Sequence, residues 1–172
     1  MRWEAEVTAA VNQVAKLRGI RIDPALVHAV INKETRHGAL PITGTREPTG
    51  GMSYGPMQVL DTTAQMHGIA NPATLAIPSL GIRIGTLELA RLSRMFGGDT
   101  TKMVAAYNGG PGIVARRNPA TGRYPNQPYV DEVLSLWERY RSAVMAVAPA
   151  GLAIAVIAVL VFLSSRRRLA WG

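Results

Sequence analysis

The chain has 172 residues, no cysteine and a formal net charge of +8. That length allows one core-bearing domain plus a small appendage, and the composition excludes thiolate nucleophiles, disulfides and cysteine metal sites while leaving the redox compartment open. The basic excess favours polyanionic surroundings, such as anionic lipid or the bacterial cell wall; nucleic acid fits poorly, because the lysines and arginines are scattered and form no stripe interleaved with aromatics.

Residues 1–22 begin with "MRWEAEVTAAVNQVAKLRG", which reads as an amphipathic helix with Trp3, Val7, Val11, Val14 and Leu17 on one face and Gly19 as its stop. Glu4, Glu6 and the lack of a long apolar run do not fit a secretory signal. Asp23 and Pro24 supply an N-cap and a first-turn proline for a second helix, through about Glu34. The stretch "GALPITGTREPTGGMSYGP" follows. It shows no strand-like alternation and is expected to be one long irregular loop, a kind of segment that usually carries function.

A helix from Asp61 or Thr62 to Met66 comes next, then one from Pro78 or Ser79 to about Phe96. Asp99 caps another that stops at the glycines of "NGGPG". The last helix of the domain runs from Tyr129 to about Arg141, with Val130, Val133, Leu134 and Trp137 as its apolar residues. The fold class expected for residues 23–142 is therefore all-α.

Residues 143–163, "AVMAVAPAGLAIAVIAVLVFL", contain no charged residue. As a helix they would reach ~31 Å, about one bilayer core, so a C-terminal transmembrane helix contacting a lipid bilayer is expected. Trp137 and Tyr140 on one side and Trp171 on the other suit the headgroup layers, and Arg166, Arg167 and Arg168 begin the basic tail, residues 164–172. Those arginines favour a cytoplasm-like or particle-interior face for the C-terminus. Without them, residues 1–142 still carry +5.

Glu34 is the first candidate for chemistry. At ~100° per residue, Val27 and Val30 both lie within about 40° of Glu34 around the helix axis, so the carboxylate shares the buried face. It is either a solvated helix-end charge paired with Lys33 or Arg36, or a desolvated acid kept protonated for proton donation. The histidines do not suggest a metal, since His28 and His37 have no paired ligand spacing, and no cofactor is expected.

Three motifs decide between the two readings of Glu34. "ETRHG" (34–38), "SYGPMQVLDTTA" (53–64) and "AAYNGGPG" (105–112) resemble, in order and rough spacing, the motifs of lytic transglycosylases of the soluble type and of the related goose-type lysozymes. In that family a catalytic glutamate, usually followed by Ser, ends a central helix. A Gly-Leu-Met-Gln segment lines the cleft and Ala-Tyr-Asn-Ala-Gly-Pro-Gly closes it. "GIRIGTLEL" (81–89) and "YVDEVL" (129–134) resemble two further family helices, and the likeness covers roughly residues 24–135. Departures are Thr35 for Ser, Pro56 for Leu, Gly110 for Ala, Gly81 for Asn and Glu88 for Tyr.

The resemblance implies a lysozyme-like fold and cleavage of the MurNAc–GlcNAc β-1,4 bond of peptidoglycan glycan strands, with Glu34 as the catalytic acid. It implies substrate contacts from Thr35, Ser53, Gln58, Tyr107, Asn108 and Tyr129, with the Tyr107 hydroxyl reaching Glu34 or the developing cation. A hydrolytic muramidase is the rival, with Glu47 or Asp61 as second carboxylate; Asp61 also suits a helix N-cap and Glu47 a solvated loop. A glycan-binding structural membrane protein without turnover is the rival of another class. The placement of the apolar run fits a domain facing the wall from a membrane anchor, in a virion membrane or beside envelope-complex proteins.

Overall fold

The structure, a computed structural model, describes residues 1–48 and 50–143. The chain divides into two units, Met1–Glu138 and Arg139–Gly172, and the fold and site below belong to the first. All but the first residue of the expected membrane span, 143–163, and the whole of the tail, 164–172, lie outside the described residues. Among the described residues no helix is long and apolar enough to cross a membrane.

The helices begin and end where local chemistry dictates. Helix α1 (Glu4–Arg18) carries acids in its first turn and bases in its last, which suits its dipole, and stops at left-handed Gly19. It buries Val7, Ala10, Val11 and Val14, but Leu17, expected on the same face, is 61 % exposed. Helix α2 (Pro24–Thr35) is capped as the sequence suggests, with the Asp23 carboxylate accepting from the Ala25 N–H at 2.9 Å. The other oxygen of Asp23 accepts from the Trp137 indole at 2.9 Å. Half-buried Trp137 thus ties the last helix to the start of α2. Residues Ala25 to Ile31 of α2 are all buried, and burying each Val, Leu or Ile contributes about 1.5–3 kcal/mol. This is a central helix.

The main correction to the all-α expectation lies in the loop. It contains a three-stranded antiparallel sheet, β1 (Thr45–Glu47), β2 (Gly51–Tyr54) and β3 (Val59–Leu60), ordered β1-β2-β3. Glu47 stands opposite Gly51, and Ser53 stands opposite Thr45 on one side and Leu60 on the other. Strands of two to four residues are too short to show a period of two against background, and backbone pairing holds them. Helix α3 (Asp61–Met66) then starts at Asp61 itself rather than after it.

A short 3-10 turn (Pro72–Ala76), capped by Asn71, leads into α4 (Pro78–Met95). Helix α4 is the second long core element; α1 packs along it, and α5 (Thr100–Gly109) and β3 also meet it. Asp99 caps α5 by accepting from the Lys102 N–H at 3.0 Å. A second 3-10 turn (Pro111–Arg116) follows, and α6 is helical from residue 127 to residue 143. Within the first unit α6 buries Tyr129, Val130, Val133 and Leu136.

Candidate active site

The site is built where α2 ends. Arg36 and His37 both take left-handed backbone angles, with φ of 48° and 54°, so the helix turns off directly after Glu34 and Thr35. Thr35 is completely buried. Its hydroxyl lies 3.1 Å from the Ile31 carbonyl and 2.9 Å from the Pro56 carbonyl. That second contact ties the end of α2 to the loop carrying Met57 and Gln58. Thr35 therefore lies behind the cleft wall, a correction to its expected sugar contact, and a hydroxyl at this position is explained by the carbonyl it serves.

The loop itself needs two glycines. Gly55 has φ of 81°, and a Cβ there would lie 2.3 Å from the Leu75 carbonyl oxygen. On α4, a Cβ at Gly85 would lie 2.5 Å from the Met57 sulfur. Removing the side chain from α4 thus lets Met57 seat fully in the core. Gln58 then takes φ of 44°, and its side-chain amide donates to the Gly55 carbonyl at 2.9 Å. Such strain in a residue with a side chain usually accompanies function, and Gln58 stands at the cleft.

A cavity of about 210 Å³ opens here, lined among others by Glu34, Glu47, Ser53, Gln58, Tyr107 and Asn108. Six residues singled out in the sequence are thereby brought together. The Tyr107 hydroxyl donates to the Met57 carbonyl at 2.9 Å rather than to Glu34, so that part of the expectation is corrected. The donor to Glu34 is Tyr129, from α6, at 2.6 Å. Asn108 accepts at 2.9 Å from Asn126, which also donates to the Ala105 carbonyl at 3.0 Å. Asn126 does not stand out in the sequence; its only signal is its place just before a helix.

Glu34 is half-buried, and burial pushes its carboxyl up to about 7. The Tyr129 hydrogen bond opposes that rise, the charge of Glu47 adds to it and the charge of Lys33 reduces it. Lys33 is engaged elsewhere, with its ammonium on the Glu132 carboxylate. Of the two partners expected for a stray charge, Lys33 and Arg36, Lys33 is thus taken by another carboxylate. Burial, and then the neighbouring Glu34, hold the Tyr129 hydroxyl well above the ordinary phenol range, so it stays a neutral donor.

The two candidate second carboxylates separate. Glu47 lines the cleft and accepts from the Ser53 hydroxyl at 2.6 Å. Asp61 does structural work instead. It accepts from the Met52 N–H of β2 at 3.2 Å and from the Thr62 N–H at 2.7 Å, joining sheet to helix. A third acid in the cleft lining, Glu88 on α4, grips Arg91 through two bonds of 2.8 and 2.6 Å and meets the His67 ring at 3.0 Å.

A glutamate at a helix end, a glycine-dependent Met-Gln loop and a Tyr-Asn helix edge now stand around one cleft, and the Transglycosylase SLT domain family matches over residues 13–130. The chain belongs to that family. Two solved structures resemble this SLT domain. One is an inactive glutamate-to-glutamine mutant of the lytic transglycosylase Slt from Pseudomonas aeruginosa, 25 % identical with a TM-score of 0.60 over 81 % of this chain and 24 % of that one. The other is the 70 kDa soluble lytic transglycosylase SLT70 from Escherichia coli, 27 % identical with a TM-score of 0.58 over 77 % of this chain and 24 % of that one. The SLT domain chain therefore spans about a quarter of the length of either protein. Its mostly helical, lysozyme-like architecture is shared with both.

Proposed function

We propose that the chain is a peptidoglycan lytic transglycosylase that cleaves the MurNAc–GlcNAc β-1,4 bond with Glu34 as its single acid and base. The observation that carries this is the Glu34 environment: a carboxyl lifted to about 7 by burial, held by a neutral phenol and, among the described residues, by no arginine or lysine in direct contact. Such a group is about half protonated at neutral pH, which suits both donating and then taking back a proton.

Protonated Glu34 gives its proton to the glycosidic oxygen as the bond to C1 of MurNAc breaks. The developing cation is stabilised by the substrate's own acetamido group. Glu34, now a carboxylate, takes the proton of the MurNAc 6-hydroxyl as that oxygen bonds to C1 and closes the 1,6-anhydro ring. No water enters and no second carboxylate is required, in contrast to ordinary glycoside hydrolysis. Gln58 and Asn108 are the groups suited to hold sugar hydroxyl and acetamido groups, with Ser53 and Tyr107 at the cleft wall. Tyr129 fixes the rotamer of Glu34. Family membership and the likeness to two lytic transglycosylases support the reading.

Digestion of purified peptidoglycan tests it. Anhydromuropeptides are expected, and reducing MurNAc ends without them would sink the proposal. That second outcome is the hydrolytic reading, and one observation favours keeping it: Glu47 faces the same cleft and its charge is felt by Glu34. In that case Glu47 would be the base for water.

For location, the uncharged run 143–163 and the following arginines support a single-pass membrane anchor with the SLT domain on the wall side, for local wall penetration. Such an anchor fits a virion membrane or an envelope complex. Membrane fractionation with and without residues 143–172 tests the anchor, and assay of purified virions tests the setting. A full-length protein that stays in the supernatant would overturn the anchor.

A further inference from the structure

Two histidines pack together where the end of α2 meets the start of α1, and the site described above uses neither. His28 is buried and lies seven residues before Thr35, on the same face of the helix. Half-buried His37 follows the helix, and the two ring centres stand 5.5 Å apart. The residues before and at the start of α1 cover them. Arg2 donates through Nη1 to the His37 carbonyl at 3.2 Å and to the Gly38 carbonyl at 3.5 Å, with its guanidinium 4.6 Å over the Trp3 ring. That ring packs on Gly38 so closely that a Cβ there would lie 2.6 Å from Trp3 Cη2. Glu4 brings a carboxylate oxygen to 3.2 Å from His28 Nε2. Three consecutive residues therefore hold the turn that follows Glu34 and the helix behind it.

Both sides of this contact carry left-handed backbone at residues other than glycine: Trp3 with φ of 64°, Arg36 with 48° and His37 with 54°. Such angles persist only where surrounding contacts hold them, so loss of the contact lets both turns relax. The charged groups around the imidazole pair are the exposed Glu4 carboxylate, the amino group of Met1 and Arg2, and Glu4 also lies 3.8 Å from that amino group. Arg36, exposed, adjoins His37 in the chain. Burial is the largest cause that holds both imidazoles below their ordinary value of 6.5. Glu4 opposes it at His28, while His28 and Arg2 add to it at His37. The closed contact therefore binds fewer protons than the open one, and its stability is present above about 6.5 and is lost as pH falls below that value.

We propose that Arg2, Trp3 and Glu4 form a strap that positions the turn after Glu34, and that protonation of the His28–His37 pair releases the strap, so that the site switches off in acid. This switch rests on the Glu34 chemistry proposed above and adds its control. Two imidazolium rings 5.5 Å apart, beside Arg2 and the Met1 amino group, outweigh one exposed carboxylate and push the strap away from the turn. With the strap released, the turn relaxes and Glu34 loses the burial that lifts its carboxyl. Acid thereby removes the working geometry even though it protonates the group that must donate. Turnover then has two limbs, an alkaline one set by Glu34 and an acid one set by the histidines.

Amide hydrogen exchange and turnover of the full chain test it. The strap and the turn carry their own reporters: the Val7 N–H donates to the Trp3 carbonyl at 2.9 Å, and the Gly38 and Leu40 N–H groups donate to the Thr35 carbonyl at 2.9 and 3.0 Å. Between pH 7 and 5 their protection, corrected for the intrinsic rate, should fall about tenfold, while that of Met103 in α5, bonded to the Asp99 carbonyl, holds. Over the same range kcat on purified peptidoglycan should fall about tenfold with KM little changed. His28→Gln with His37→Gln should flatten that acid limb and leave the limb near pH 7 in place. Trp3→Ala, which changes no charge, should move the acid limb to higher pH by about half to one unit, and Trp3→Phe should restore most of it. Protection unchanged in acid, or lost equally at Met103, overturns the switch. So does an acid limb that persists in the double histidine variant at an unchanged neutral-pH melting temperature. If that variant does not fold, exchange in the wild type and in Trp3→Ala decides. Should the wild type cleave no glycan at any pH, the glycan-cleaving function fails instead, and exchange still decides the strap.

Discussion

Glu34 and Glu88 line the same cleft from two different helices, and burial pushes both carboxyls up. They end on opposite sides of the ordinary range. Glu34 meets a phenol and rises to about 7. Glu88 meets a guanidinium twice and an imidazole once, and these contacts outweigh burial and hold it below the usual carboxylate range. Burial alone therefore does not make a working acid. The charge on the hydrogen-bond donor decides, since a neutral donor leaves the proton available and a cationic donor removes the reason to hold it.

The largest test of that contrast is to neutralise each carboxylate in turn. Glu34→Gln keeps the shape and deletes the acid, so anhydromuropeptide release should fall by about 10²–10⁴, the usual worth of a positioned general acid, with the melting temperature near or above wild type. Glu88→Gln should leave turnover within about tenfold, because that group is already neutralised by its partners. Equal, deep losses in both variants would break the contrast and make Glu88 a second working carboxylate.

Stability should respond next. Arg91→Met leaves Glu88 in the cleft wall without its main cation, and because the arginine is itself partly exposed a loss of about 1–3 kcal/mol is expected, below that of a fully buried pair. The two glutamates also have opposite pH signatures. Glu34 has a folded-state pKa above its unfolded value, so its contribution is fully present below about 4.5 and is lost as pH rises through about 7. Glu88 has a depressed folded-state pKa, so its contribution is present above the unfolded value and is lost as pH falls through the folded one. The melting temperature of Glu34→Gln, relative to wild type, should therefore climb between pH 5 and about 8, and that of Glu88→Gln should recover toward wild type in acid. Parallel curves would refute the assignment of both environments.

Thr35 offers a smaller test of how the acid is held. Thr35→Val is nearly isosteric but leaves the buried Pro56 carbonyl without its donor, and a cost of about 1–2 kcal/mol follows. Thr35→Ser should cost less, since the hydroxyl remains. If denaturant unfolding ranks Ser below Val, the contact to Pro56 is not what the residue supplies.

Helix caps and the apolar face of α2 are legible in the sequence because each depends on residues within one or two turns: Asp23 and Pro24, Asp99, and the Val27–Val30–Glu34 spacing. The cleft motifs are legible as a set for the same reason, each being a short glycine-bearing segment. What stays hidden depends on contacts between distant segments. Nothing local to Tyr129 indicates that its hydroxyl, rather than that of Tyr107, reaches a carboxylate 95 residues earlier. The sheet that carries Glu47 and Ser53 escapes the sequence pattern because its strands are shorter than one clear repeat. Thr35 reads as a sugar contact because a motif gives the residue and not the direction it faces. Glu88 stands out in the sequence only as a departure from the family pattern, and its meaning depends on Arg91 and His67 from two different elements.

The finest test uses the two groups that tune Glu34 from opposite sides. On the proposed mechanism Glu34 must be protonated to begin the reaction, so kcat/KM should fall through a single ionisation near pH 7, and the position of that limb reports the Glu34 environment directly. The Tyr129 hydrogen bond lowers the pKa and the Glu47 charge raises it. Tyr129→Phe should therefore move the limb to higher pH and Glu47→Gln to lower pH, each by less than about one pH unit, equivalent to ~1.4 kcal/mol. Glu47→Gln is the more decisive of the two substitutions. A single-acid transglycosylase keeps its plateau rate and merely shifts its limb, whereas a hydrolase that uses Glu47 to activate water loses the plateau, because the base and not the tuning of the acid has been removed.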